Sequence, residues 1–133
     1  MGIAAGPLAG RLTNRFGTGT TLVLGSLVFA AAIALTFIPS LAAIAASLTA
    51  ICGGFFAMHA AAVGSLNARL TESRGRANSL YVLLYYLGGA AGISAAGAAY
   101  ARWGWPGVTT LGLAALVLPL AIGITEIYDA PRR

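Results

Sequence analysis

The 133-residue chain is 59% hydrophobic and only 8% charged, whereas an ordinary soluble domain carries about 25% charged residues. Eight basic and three acidic side chains are too few to cover a water-soluble fold of this length, which excludes a globular cytosolic enzyme and leaves apolar surface for lipid or a partner. The net charge of +5, carried by arginine with no lysine, sits in short segments between long uncharged runs, a pattern that suits phosphate headgroups and argues against nucleic acid as a partner.

Residues 1–10 are apolar but too few to cross a bilayer, and they read as the end of a truncated helix. Gly2, Gly6 and Gly10 recur every four residues, the small-residue spacing that lets another helix approach closely. A loop is expected over 11–19, carrying Arg11 and Arg15. The first span then runs over about 20–38 without a charge, and 19 residues at 1.5 Å rise give about 28 Å, close to the hydrocarbon thickness of a bilayer. Pro39-Ser40 ends it, and the second span, about 41–64, contains His59 as its only ionisable group. These two helices are expected to form a tight antiparallel hairpin.

A polar loop over 65–76, long enough for a short interfacial helix, holds Arg69, Glu72, Arg74 and Arg76. The third span is expected over about 77–100. Arg102-Trp103-Gly104-Trp105-Pro106 follows, with the arginine and tryptophans that favour the headgroup layer. Pro106 suits the first turn of a fourth span, about 107–125, where Pro119 should kink the helix. The chain is thus read as one all-α membrane domain over 1–133, with four transmembrane helices. Positive residues are retained on the cytoplasmic side. One side collects Arg11, Arg15, Arg69, Arg74, Arg76, Arg132 and Arg133, and the other only Arg102, so a multi-pass protein of the plasma membrane, the inner membrane of a bacterium, is expected, with both termini cytoplasmic.

The stretch from Gly10 to Gly17, with Arg11, Asn14 and Arg15 between, resembles the cytoplasmic loop motif Gly-x-x-x-Asp-Arg-x-Gly of the major facilitator superfamily. Asn14 stands where that family usually has Asp, and Thr18 and Gly19 where it usually has basic residues. The stretch from Asn67 through Glu72 and Arg76 to Tyr81 is similar to the loop and helix start before the family's eleventh helix. The resemblance implies a partial fold of that family, with the four spans as its ninth to twelfth helices, and the C-terminal fragment of a secondary transporter, an efflux permease for a small solute or drug, working by alternating access with protons as a possible coupling ion. Its partners would be the bilayer, the missing helices or another membrane chain, and the solute.

Within that frame Arg15 is the candidate latch between states of the cycle, against the plainer reading that Arg11 and Arg15 anchor the loop at headgroups. His59 is the intramembrane polar candidate: it either shuttles a proton or, near the cytoplasmic end, stays neutral and meets interfacial water or a backbone carbonyl. Gly88, Gly89, Gly92 and Gly97 read first as a helix-packing face and second as points of bending. Tyr81, Tyr85 and Tyr86 belong to an aromatic belt or line a cavity entrance. No catalytic constellation, metal site, phosphate loop or cofactor is expected, because the chain has one His, one Cys at Cys52, and its acids Glu72, Glu126 and Asp129 outside the spans. The rival readings are a non-transporting membrane scaffold and a four-helix small multidrug exporter; the latter class carries a membrane-embedded glutamate that this sequence lacks.

Overall fold

A computed structural model describes the backbone of residues 2–70 and 72–129, with side chains from Arg11 onward apart from Leu12, Asn14 and Thr71. Among the described residues the chain is helix and short turns, with no strand. The helices are α1 (Gly2–Leu35), α2 (Leu41–Arg69), α3 (Arg74–Ala115) and α4 (Val117–Asp129). A helix satisfies every backbone group internally, which is what a chain this apolar requires in lipid.

Two expected loops are corrected. Residues 11–19 are helical on both sides of Gly17, which alone leaves helical geometry with φ 83° and ψ 163°. Only a residue without Cβ adopts that region readily, so the glycine turns the chain through a corner in place of a loop. The polar stretch 65–76 also contracts, because α2 continues through Arg69 and α3 begins at Arg74. Nothing in 65–69 interrupts a helix, and the Asn67 side-chain amide donates back to the Val63 carbonyl at 2.9 Å. The 29 residues of α2 extend about 43 Å, so its last polar turns project beyond the hydrocarbon layer.

The helical run over Arg74–Asp129 is 56 residues long, about 84 Å if straight and far more than one crossing needs. Gly104, with φ 64° and ψ −152°, divides it at a second corner. Pro106 falls in the first turn after that corner, where its missing N–H is not needed. Pro119 cannot donate to the Ala115 carbonyl, and the helix is interrupted at Leu116, whose N–H reaches the Gly112 and Leu113 carbonyls at 3.3 and 3.2 Å.

Helix α1 is the centre of the bundle, packed chiefly against α2 and also against α4. Small residues make these contacts, as expected where the surrounding lipid is as apolar as any side chain. A Cβ on Gly54 would lie 3.1 Å from the Gly25 carbonyl oxygen, and one on Gly19 would lie 2.7 Å from the Gly123 carbonyl oxygen. The buried set includes Thr21, Ser26, Ala32, Ser47 and Ala61, with Leu22 and Ile33 as its larger members. Ser47 is fully buried and donates to the Ala32 carbonyl at 2.7 Å, so its hydroxyl ties α2 to α1. Large apolar side chains point outward: Leu41 is 85% exposed, Ile93 77% and Leu118 68%. That inversion is the physical signature of a lipid-facing surface.

Candidate functional site

Helices α2 and α3 meet in one short zone. Phe55 and His59 are one turn apart on α2, and Tyr81 and Tyr85 are one turn apart on α3, so each pair shares a face. The Tyr81 hydroxyl and His59 Nδ1 are 2.9 Å apart. The Tyr85 ring lies edge-on to His59 at 5.3 Å between centroids, Phe55 stacks on His59 at 5.8 Å, and Phe55 and Tyr85 are 6.2 Å apart, so the three rings form one cluster. The tyrosine O–H donates when Nδ1 carries no proton, and Nδ1–H donates to the hydroxyl oxygen in the other tautomer. The polar partner of His59 is therefore a tyrosine on the next helix, where interfacial water or a backbone carbonyl had been the plainer expectation. Tyr81 is half-buried, while Tyr85 and Tyr86 are exposed and in edge contact at 5.4 Å.

Toward the α2–α3 turn the same interface carries a second polar contact. The Asn78 amide donates to Asn67 Oδ1 at 3.0 Å, and the Asn67 amide faces Asn78 Oδ1 at 3.4 Å. Beyond His59 the helices part. Gly88, Gly89, Gly92 and Gly97 meet nothing within 4 Å of an added Cβ. The glycine face of α3 is thus open within this chain. Between the two arms of the Gly104 corner lies an apolar cleft of about 700 Å³, lined by Ala95, Ala99, Arg102, Trp103, Pro106 and Leu111 among others. Across the corner, Trp105 Nε1 donates to Thr36 Oγ1 at 3.0 Å, joining the end of α1 to the return helix.

At the opposite end, the loop-motif residues are spread along α1. Gly10 lies in the helix, and the surroundings of Gly10 and of the Asn14 side chain are outside what the structure describes. Arg11 and Arg15 are exposed, and the Arg15 guanidinium rests 5.4 Å from the ring centroid of its neighbour Phe16. Gly17 forms the corner itself. The ion pair at this end is a different one, Arg69 with Glu126, which joins α2 to α4 across α1. Sequence reasoning missed that pair, and the available signal was an arginine and an acid each placed at the end of an apolar run. Among the described residues no group of three or more His, Cys, Asp or Glu side chains could hold a metal ion.

Known proteins give this geometry its context. The family model described as Major Facilitator Superfamily matches residues 1–132. The inner membrane transport protein YnfM of Escherichia coli is 32% identical over 122 residues, which cover 92% of this chain and 29% of that protein. The probable transporter SCO4007 of Streptomyces coelicolor is 36% identical over 127 residues, which cover 89% of this chain and 28% of that protein. The chain therefore spans under a third of the length of the curated relatives it matches. No solved structure matches it significantly.

Proposed function

Because the chain belongs to the major facilitator superfamily, we propose that it supplies the C-terminal helices of a small-solute efflux permease that works by alternating access. The observation that carries this reading is the free middle of α3, between its contacts with α2 near the turn and the Trp105–Thr36 bond beyond the Gly104 corner. That helix is held to α2 by the His59–Tyr81 and Asn67–Asn78 contacts near the turn, and its middle stands free of the bundle. The stretch of α3 between those contacts, ending at the Gly104 corner, can change its angle without breaking the α1–α2 core. The open face at Gly88, Gly92 and Gly97 is then the surface that meets the rest of the transporter, and His59 is the proton-carrying group, joined through Tyr81 to the helix that moves. Arg11 and Arg15, with Gly10, Asn14 and Gly17, form the cytoplasmic hinge region of α1.

The arginine distribution supports cytoplasmic termini, and the printed name of the Escherichia coli relative supports the bacterial inner membrane. The test is flux. Proteoliposomes holding the complete transporter are expected to move a hydrophobic cationic dye when a pH gradient is imposed, and His59→Asn is expected to uncouple dye movement from the gradient. The chain reconstituted alone is expected to give no flux above empty liposomes. Robust gradient-independent flux through the isolated chain would overturn the proposal. A second reading, a scaffold that binds other membrane chains through the open glycine face, is favoured if cysteines placed over 88–97 capture a specific partner and no solute protects them.

A further inference from the structure

The cleft inside the Gly104 corner is built by two arms of one helical hairpin. A Cβ on Gly107 would lie 2.8 Å from the Ala99 carbonyl oxygen, so the arms touch next to the corner. Beyond that crossing they part, and Ala95, Ala98 and Ala114 fill little of the gap. The cleft follows residues 95–102 on one arm and 107–114 on the other, which is about 10 Å of helix rise. A volume of about 700 Å³ over that depth gives a mean width of about 9 Å, short of the roughly 10–12 Å across a helix with its side chains. The space therefore suits a small molecule better than another helix. Its size and apolar walls are those of a ligand pocket, in which a few polar groups fix the orientation of the guest.

One charge lines the cleft, that of Arg102. Its guanidinium takes part in no hydrogen bond or ion pair among the described residues. The acids Glu72, Glu126 and Asp129 all lie at the far ends of the helices, away from the corner. A guanidinium with free donors beside apolar walls matches one anionic group, and its planar fork fits the two oxygens of a carboxylate. A phosphate dianion would leave a charge unmatched, because the Thr110 hydroxyl already donates to the Pro106 carbonyl at 2.8 Å. Trp103, 65% exposed within this chain, brings an indole to the same lining, a surface on which a ring can pack.

We propose that this cleft binds a hydrophobic monocarboxylate, its carboxylate on Arg102 and a ring-sized apolar body between the arms beside Trp103. The site is separate from the His59–Tyr81 zone and stands whether or not the protein moves a solute. Pyrenebutyrate is the probe, and energy transfer from tryptophan to pyrene in phosphatidylcholine nanodiscs is the readout, taken for the chain by itself and for the complete transporter. Transfer should saturate, and pyrenebutanol, with the same rings and no charge, should bind about tenfold more weakly. Arg102 is exposed, so Arg102→Gln tests the contact without disturbing the packing, and it should bring pyrenebutyrate down to the level of pyrenebutanol. Arg76→Gln removes the same charge from the other end of α3 and should leave the difference intact. Ala98→Phe, which fills the cleft, should remove saturable transfer to both probes. Several results would each overturn the proposal: transfer that only rises linearly with probe, equal binding of the two probes, or a loss of pyrenebutyrate binding on adding phosphatidylglycerol that Arg102→Gln does not share. So would disappearance of the site in the complete transporter, where a neighbouring helix would then cover it.

Discussion

Replacing Gly19 with alanine tests the packing logic most directly. A Cβ there would stand 2.7 Å from the Gly123 carbonyl oxygen and 2.9 Å from both the backbone nitrogen and Cγ1 of Ile127. Two of those neighbours are backbone atoms, so no side chain can swing aside and α1 and α4 must separate. Overpacking of this kind costs about 1–3 kcal/mol, and the higher helix propensity of alanine returns about 1 kcal/mol. The net loss is up to about 2 kcal/mol, which for a chain of this size lowers the midpoint of thermal unfolding by up to about 10 °C. Gly88→Ala is the internal control. Nothing lies within 4 Å of its added Cβ, so the isolated chain should gain up to about 1 kcal/mol from propensity alone. The assay is the fraction that stays monodisperse in mild detergent after heating through a temperature series. If Gly19→Ala melts at or above the parent, or if both variants shift alike, the close crossing of α1 and α4 is not what holds them.

Ser47→Ala removes the buried hydroxyl that bonds the Ala32 carbonyl and should lower stability by about 1 kcal/mol in the same assay; no change would mean that the contact is replaced in the membrane. Tyr81→Phe takes the hydroxyl from His59 and should cost about 0.6–1.5 kcal/mol, whereas Tyr85→Phe keeps its ring contact and should be near neutral; equal effects would refute the hydrogen bond's role. Gly104→Ala places a side chain at φ 64°, ψ −152° and should cost about 1–3 kcal/mol, detected as lost monodispersity; a stable variant would show that the corner does not need glycine. A double-mutant cycle on Arg69 and Glu126 should give a coupling of only about 0.2–1 kcal/mol, because the Arg69 side chain is 65% exposed and solvent screens the pair. A coupling several times larger would mean that the pair is closed off from water.

Charge-free runs made the α1–α2 hairpin readable, because lipid tolerates no charge over the width of a bilayer and the Pro39-Ser40 break is local chemistry. The corners were harder. Gly17 sits among arginines and threonines that look like a loop, yet a single glycine can redirect a helix without ending it. Gly104 lies beside Pro106, and there the sequence did mark a junction, though not that helix resumes within a residue. His59 stood out as the ionisable group of its span, but naming Tyr81 as its partner needs the rotation of α3 against α2. The same holds for Gly19 with Gly123, Gly25 with Gly54, and Arg69 with Glu126. Each is a match between residues on different helices, and hydropathy along one helix carries no information about azimuth or depth relative to another.

The central place of α1 also bears on the order of assembly. Its contact with α2 joins neighbours in the chain and can form as soon as the hairpin has been synthesised. Its contact with α4 joins Gly19 to Gly123 and must wait until α4 has left the ribosome. During that interval the α4-facing side of α1, with Leu22 and Val23 beside the crossing, is open to other apolar segments. A chain stalled before α4 would therefore present a complete α1–α2 hairpin with one apolar side of α1 uncovered.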